Sequence, residues 1–299
     1  MRHNEDTRQT HLALLATDGR MTVYENDQPE NLSEFTSIDE FSICEKPSRG
    51  EEISFKVRFD PNPEPCYTAL RAGVPVDSLG IVAAGMDTVR VYRTRDIVTA
   101  SYGVPQTQRE FYLATELTGH RGLVRDVAWA PGNVRGYDTI ATACQDGYLR
   151  VFRIDTPYSP DDGKSWSAND LLKSSRTTRP APAGTHPSSL VDAAASTTDT
   201  KTAAHPSSTL SASLARTAGP AADKRKWSGE EGQIHHSHRE ISRLDSHRTP
   251  VWRVDFDDDG QILGSTGDDG KLMLYRQTPD GVWAKSSELT MVRERMAVP

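Results

Sequence analysis

The chain has only three cysteines, Cys44, Cys66 and Cys144, in 299 residues. Their uneven spacing forms neither a metal-ligand set nor a disulfide framework, so each is expected as a small buried hydrophobe in or near a strand. No apolar run approaches the length of a membrane-spanning helix, and no membrane insertion is expected. Met1 to Thr10 is polar, so no signal peptide is expected and the compartment is cytosolic or nuclear. Positive charge is in the minority. With 35 Lys and Arg against 42 Asp and Glu, the formal charge of −7 argues against direct nucleic-acid binding. The sequence also lacks a glycine-rich phosphate loop, paired catalytic carboxylates in a recognisable motif, and aromatic residues interleaved with basic ones. No cofactor, catalytic residue or metal ligand is expected.

What is present is repetition. The stretch His247–Tyr275 reads as three short strands joined by Asp/Gly turns. A strand over Val251–Phe256 precedes an Asp-Asp-Asp-Gly turn. A second strand follows to Thr266, then the turn Asp268-Asp269-Gly270, then a third strand to Arg276. The same pattern occurs upstream. His120-Arg-Gly-Leu-Val124 matches His247-Arg-Thr-Pro-Val251, and Ile140 through Asp146-Gly147 matches Leu263 through Asp269-Gly270. Phe152 falls six residues after its turn aspartate, as Tyr275 does. Residues 53–93 give a weaker copy, and Leu12 through Tyr24, turning at Asp18-Gly19, resembles the second half of another. Self-similarity of this kind specifies a β-propeller: all-β, incomplete, with about three full blades and part of one.

In chain order, Leu12–Ala16 enters as an inner strand with no innermost strand expected before it, and an outer strand lies within Leu32–Ile43. The first full blade takes strands near 53–59, 79–85, 88–93 and 110–118, with a long proline-rich inner loop from Asn62 to Leu79. The second takes 124–130, 139–144, 148–153 and 239–245, and the third takes 251–256, 261–266, 271–276 and 282–289. Between the third and fourth strands of the second blade lies an insertion rich in Ala, Ser, Thr and Pro. That composition cannot bury enough apolar surface to offset ordering entropy, so the insertion is expected to be disordered. The organisation is thus propeller strands over 1–154, disordered insertion over 155–238, final propeller strands over 239–290, and a tail over 291–299.

In WD-type blades a loop histidine, a strand serine or threonine, the turn aspartate and an aromatic residue form a chain of hydrogen bonds. Here the sets are His120, Thr142, Asp146 with Phe152, and His247, Ser265, Asp269 with Tyr275. Phe152 has no polar atom to contribute, so the second set is the more complete. A His–Ser–Asp trio also suggests a hydrolase. Against that, the aspartate sits in a hairpin that repeats from blade to blade, and the serine lies mid-strand rather than on an exposed elbow. Both sets are read as structural. His235-His-Ser-His238 lacks cysteine or carboxylate partners at a coordinating spacing and is expected as a solvated surface run. Lys224-Arg-Lys226 is read as solvated linker rather than an import signal.

Leu123 to Asn133, Arg135 to Gly147, Pro250 to Val254 and Ser265 to Gly270, with the closing Trp283–Leu289, resemble the Seh nucleoporin family (Sec-thirteen homologues) in its filamentous-fungal form. The resemblance implies an open six-bladed WD-repeat scaffold of the Y-shaped outer-ring complex of the nuclear pore, at the nuclear envelope, serving mRNA export and protein import. It implies as partners an α-solenoid nucleoporin that completes the propeller by strand insertion, and other Y-complex nucleoporins. It further implies subunits of the SEA/GATOR-type coat that regulates TOR signalling at the vacuolar or lysosomal surface. The family's first two blades and the start of its third have no counterpart here, so the sequence reads as an N-terminally truncated form. Alternatives are a Sec-thirteen-like vesicle-coat propeller, another WD-repeat adaptor, or a propeller hydrolase. Light proteolysis is expected to cut first between Arg176 and Lys226, and protection of that segment would contradict the disordered reading.

Overall fold

A computed structural model describes residues 1–5, 7–28, 30, 31, 33–101, 104–132, 136–156 and 230–290. They form four four-stranded antiparallel sheets, in each of which neighbours in the sheet are neighbours in the chain. The first sheet contains β1 (Arg2–His3), β2 (Thr10–Leu15), β3 (Arg20–Asn26) and β4 (Thr36–Ser42). The second contains β5 (Phe55–Phe59), β6 (Gly80–Gly85), β7 (Thr88–Ser101) and β8 (Val104–Leu117). The third contains β9 (Val124–Trp129), β10 (Asp138–Cys144), β11 (Leu149–Asp155) and β12 (Ser237–Leu244). The fourth contains β13 (Val251–Phe256), β14 (Ile262–Gly267), β15 (Lys271–Gln277) and β16 (Trp283–Thr290). These four meanders are the expected propeller blades.

The core lies between consecutive blades. Met21, Val23 and Phe41 of the first blade pack with Ile81, Ala83, Tyr92 and Phe111 of the second. Val82, Val89 and Val91 on the second blade's other face pack with Val127, Trp129 and Ile140 of the third. Ala141, Leu149 and Val151 of the third meet Val254, Leu263, Met273 and Tyr275 of the fourth. A strand of a middle blade is therefore apolar on both faces. Its sequence reads as an unbroken run, Gly80-Ile-Val-Ala-Ala-Gly85, with every residue buried. β13 of the fourth blade instead alternates, with Val251 and Val254 buried and Trp252, Arg253 and Asp255 exposed.

Four expectations require correction. An innermost strand does precede Leu12: β1 pairs with β2 through Arg2↔His11 and His3↔Thr10. Two residues are too few for an apolar pattern, and the pairing is fastened by a 2.9 Å bond between His3 Nδ1 and Thr10 Oγ1. The loop from Asn62 to Leu79 contains a helix, α1 (Tyr67–Arg71), whose Ala69 clusters with Cys66, Val74 and Ile234. β7 and β8 run on as a hairpin of 14 residues each, well past the expected strand ends at 93 and 110. The expected insertion begins and ends inside strands, since Asp155 closes β11 and Ser237 opens β12. Residues 230–236 are also placed against the second blade. Arg95 Nη1 donates to the Glu231 carbonyl at 2.8 Å, and His236 N donates to the Ala114 carbonyl at 3.0 Å. The rest of the insertion, 157–229, and the tail, 291–299, lie outside the described residues.

The loops between first and second strands of adjacent blades also interlock. Gly260 has φ +64°, and a Cβ there would stand 2.3 Å from the Pro131 carbonyl oxygen of the neighbouring blade. Gly260→Ala is expected to destabilise the fold by at least about 1–2 kcal/mol, from left-handed strain with a backbone clash added. Thermal melts of this variant beside Gly270→Ala, whose added Cβ meets nothing within 4 Å, check it. Equal melting temperatures would refute the interlock.

Candidate functional site

The hydrogen-bond sets lie where the loop entering a blade meets the turn between its second and third strands. In the fourth blade His247 Nε2 is 2.7 Å from Ser265 Oγ, and Nδ1 is 2.9 Å and 3.0 Å from the two carboxylate oxygens of Asp269. With Nδ1–H donating to the carboxylate, Nε2 accepts from the serine hydroxyl. That connectivity is the one hydrolases use, but the setting differs. Ser265 is 1% exposed and none of the described cavities is lined by it. A Cβ at Gly267 would be 3.0 Å from His247 Nδ1 and 2.9 Å from the Pro250 carbonyl oxygen, so backbone packs closely against the ring. Tyr275 does not complete the chain. Its ring is buried in the core between the third and fourth blades, and its hydroxyl has no hydrogen-bond partner among the described residues.

The third blade departs further. His120 Nε2 meets Thr142 Oγ1 at 2.9 Å, but its Nδ1 has no partner among the described residues. Asp146 is occupied by Arg150, which donates from Nη2 at 2.6 Å and Nη1 at 3.1 Å, and by the backbone N–H groups of Tyr148 and Arg121. Arg150 stands four residues after the turn aspartate, where the fourth blade has Met273. A long cation at that position captures the carboxylate and separates it from the histidine. The signal in the sequence is the change from methionine to arginine at the fourth residue after the turn aspartate, Met273 against Arg150. Burial, then the Arg150 charge, lowers the His120 pKa to about 4.

A second polar cluster, not anticipated from sequence, ties the second and third blades at their opposite end. Arg93, 1% exposed, donates to Asp138 Oδ2 at 2.7 Å and lies 3.5 Å from Asp60 Oδ2. Its guanidinium stands 5.4 Å from the Trp129 ring centroid. Asn62 Nδ2 donates to Asp60 Oδ1 at 2.8 Å, and the Cys66 thiol to Asp138 Oδ2 at 3.3 Å. Burial and then the Asp138 charge push the Asp60 pKa up. The same burial raises the Cys66 thiol to about 11, which keeps it protonated and unreactive. Two buried carboxylates around one guanidinium bind the blades together.

The His235–His238 run is not a solvated surface run. His236 is 1% exposed with Nδ1 at 3.0 Å from Thr156 Oγ1, and His238 Nδ1 is 3.1 Å from Thr115 Oγ1. Burial first, then the Arg93 charge, holds His236 well below the ordinary histidine range. No cluster of potential metal ligands occurs among the described residues. No helix among them is long and apolar enough to cross a membrane. All three cysteines are buried, and no disulfide joins them. Lys224–Lys226 lies outside the described residues.

The WD domain, G-beta repeat family model matches residues 111–153 and 238–276, which span the His120 and His247 sets. With four consecutive four-stranded blades, this makes the chain a WD-repeat β-propeller protein. Nucleoporin SEH1 of Chaetomium thermophilum is 50% identical to it over 340 aligned residues, covering 100% of this chain and 63% of that protein. Nucleoporin SEH1 of Saccharomyces cerevisiae is 26% identical over 268 residues, covering 89% of this chain and 60% of that protein. The chain is similar to the SEH1 nucleoporins along its whole length, and it spans less than two thirds of the length of these relatives. The solved structure of Chaetomium thermophilum Sqt1 bound to the N-terminus of ribosomal protein L10 aligns at TM-score 0.43 and 16% identity, over 94% of this chain and 48% of that one. At that score the blade assignment rests on the strand pairing itself.

Because His120 is held neutral, the unfolded chain binds more protons than the folded one between about pH 4 and pH 6.5. The associated stability is complete above pH 6.5 and is lost as pH falls toward about 4. Asp60, with its raised pKa, works the other way through the carboxylate range. His120→Gln is therefore expected to flatten the acid loss of stability in urea titrations at several pH values. An unchanged acid slope would show that His120 is not buried neutral.

Proposed function

We propose that the chain is a non-enzymatic WD-repeat scaffold of the nuclear pore outer ring, located at the nuclear envelope and serving mRNA export and protein import. The observation that carries this reading is identity to a nucleoporin of 50% spread over the whole chain, rather than confined to the WD signature at 111–153 and 238–276. The polar sets support it, because the His120 and His247 sets are consumed in tying strands and turns within their blades and the Arg93 cluster in joining two blades. Its partners are an α-solenoid nucleoporin that adds strands to the propeller, and through it other Y-complex nucleoporins. The fourth blade supports strand addition. Ile262, Leu272 and Leu274 are half-buried and Leu289 is exposed, so its second face carries apolar surface for a further sheet. The same mode of assembly extends to SEA/GATOR-type subunits, with a TOR-regulating role at the vacuolar surface.

A fluorescently tagged chain is expected to mark the nuclear rim and to co-elute with a purified α-solenoid nucleoporin as an equimolar complex in size-exclusion chromatography. Diffuse cytosolic signal with no co-elution would overturn the reading.

A further inference from the structure

The first strands of the second, third and fourth blades converge, with β9 lying against β5 on one side and β13 on the other. Their ladders place equivalent residues at the same height. Lys56 pairs with Ala84, Asp126 with Ala143 and Arg253 with Thr266. Each of these partners stands three residues before its blade's turn aspartate, Asp87, Asp146 or Asp269. Two residues further along, Arg58 pairs with Val82, Ala128 with Ala141 and Asp255 with Gly264. Alternate residues of a strand share a face, so both rows leave their strands on the same side. Their side chains also meet. Arg253 Nη1 is 3.9 Å from Asp126 Oδ2, and Arg58 Nη2 is 3.5 Å from Asp255 Oδ2. The second contact runs from the second blade to the fourth across β9, where Ala128 carries only a methyl group. The three strands therefore form one continuous inner wall.

Charge in these two rows is unbalanced. Three cations, Lys56, Arg58 and Arg253, stand with two carboxylates, Asp126 and Asp255. The Asp126 side chain is 3% exposed, and its oxygens accept backbone N–H groups, Oδ1 from Val127 at 3.1 Å and Oδ2 from Val254 at 3.2 Å. Its acceptor capacity goes into fixing β13 against β9, and Arg253, 65% exposed, reaches it only at 3.9 Å. Lys56 stands within Coulombic range of the same carboxylate but makes no hydrogen bond or ion pair among the described residues. Asp255 is 71% exposed, so its 3.5 Å contact with Arg58 is a weak one that a better acceptor displaces. Glu52, the nearest acid before β5 in the chain, is taken up by Arg125. The row holding Lys56 and Arg253 lies about 7 Å from the row holding Arg58, the rise of two residues in a strand. Alternate side chains of an extended peptide have that same spacing.

We propose that the inner wall of β5, β9 and β13 is a docking surface for an extended acidic segment of a partner protein, with aspartate or glutamate at alternate positions. One carboxylate of the segment lies between Lys56 and Arg253, the pair that Asp126 leaves under-neutralised. The carboxylate two residues away takes Arg58 from Asp255. The inference goes beyond the nuclear-pore reading and concerns a surface which that reading does not use.

The test uses the full 299-residue chain and a fluorescein-labelled synthetic peptide of alternating glutamate and serine. One control has the same composition in the order Glu-Glu-Ser-Ser, which puts adjacent glutamates on opposite faces of an extended chain. A second control alternates lysine and serine. Fluorescence anisotropy is expected to show saturable binding of the alternating acidic peptide, weaker binding of the Glu-Glu-Ser-Ser order by about threefold or more, and none of the lysine peptide. The double variant Lys56→Gln with Arg58→Gln weakens binding by about fivefold or more. Asp255→Asn removes the competing carboxylate and strengthens binding by about twofold, a gain that misfolding does not produce. Arg20→Gln, which alters an exposed cation of the first blade, leaves affinity unchanged. Absence of saturable binding, equal affinity for the two glutamate orders or for the lysine peptide, or unchanged affinity in the Lys56/Arg58 and Asp255 variants would overturn the proposal.

Discussion

Side chains alternate across a strand, so one strand in a middle blade feeds two separate cores. Ile81 and Ala83 of β6 face the first blade, while Val82 and Ala84 face the third. Ile140 and Cys144 of β10 face backwards in the same way, and Ala141 and Ala143 face forwards. No blade closes a core alone, and each becomes stable only between neighbours. The small residues follow from that constraint. Where two sheets approach on both sides, alanine and glycine on β6 and β10 let bulky partners such as Phe41, Tyr92, Phe152 and Trp283 fill the wedge between blades.

The polar sets follow the same logic, because they sit where blades or strands must be held in register. In the fourth blade a histidine bridges a strand hydroxyl and a turn carboxylate. The third blade uses a buried arginine on the carboxylate instead, and its histidine is left bonded at one nitrogen only. At the other end Arg93 serves two aspartates. Removing one partner from such a buried pair strands a charge in low dielectric, which costs about 3–5 kcal/mol, although the intact pair adds little net stability. These groups specify which surfaces meet. The apolar clusters supply most of the energy.

The strands were legible in the sequence because β-branched and apolar runs are bounded by Asp-Gly turns, as at Asp18-Gly19, Asp146-Gly147 and Asp269-Gly270. Their ends were less so. β1 has two residues, and the extension of β7 and β8 uses residues whose partners lie across the hairpin rather than in a core. The His247, Ser265 and Asp269 triangle followed from repeat position alone. Tyr275 did not join it, since position fixes where a ring packs and does not provide its hydroxyl with an acceptor. His236 looked solvated because its neighbours in sequence are polar. Its burial arises from Thr156, which is 80 residues away along the chain. Arg93 with Asp60 and Asp138 was invisible for a similar reason, since the three come from two blades and no local spacing encodes the meeting.

The bond between Thr156 Oγ1 and His236 Nδ1 joins the residue just past β11 to the residue just before β12. Arg95 and the Ala114 carbonyl fasten the returning strand-end separately, to the second blade. The base of the excursion between these strands is thus pinned by contacts that belong to the blades. Adding residues to an already closed loop raises its entropy cost by only about 0.6 kcal/mol for each doubling in length. Strand pairing from Leu149↔Leu244 to Asp155↔Ser237 therefore does not register how many residues lie beyond the pin. This position works as a buffer in the design of the blade, where a change in the length of the excursion leaves the geometry of the strands beneath it unaltered.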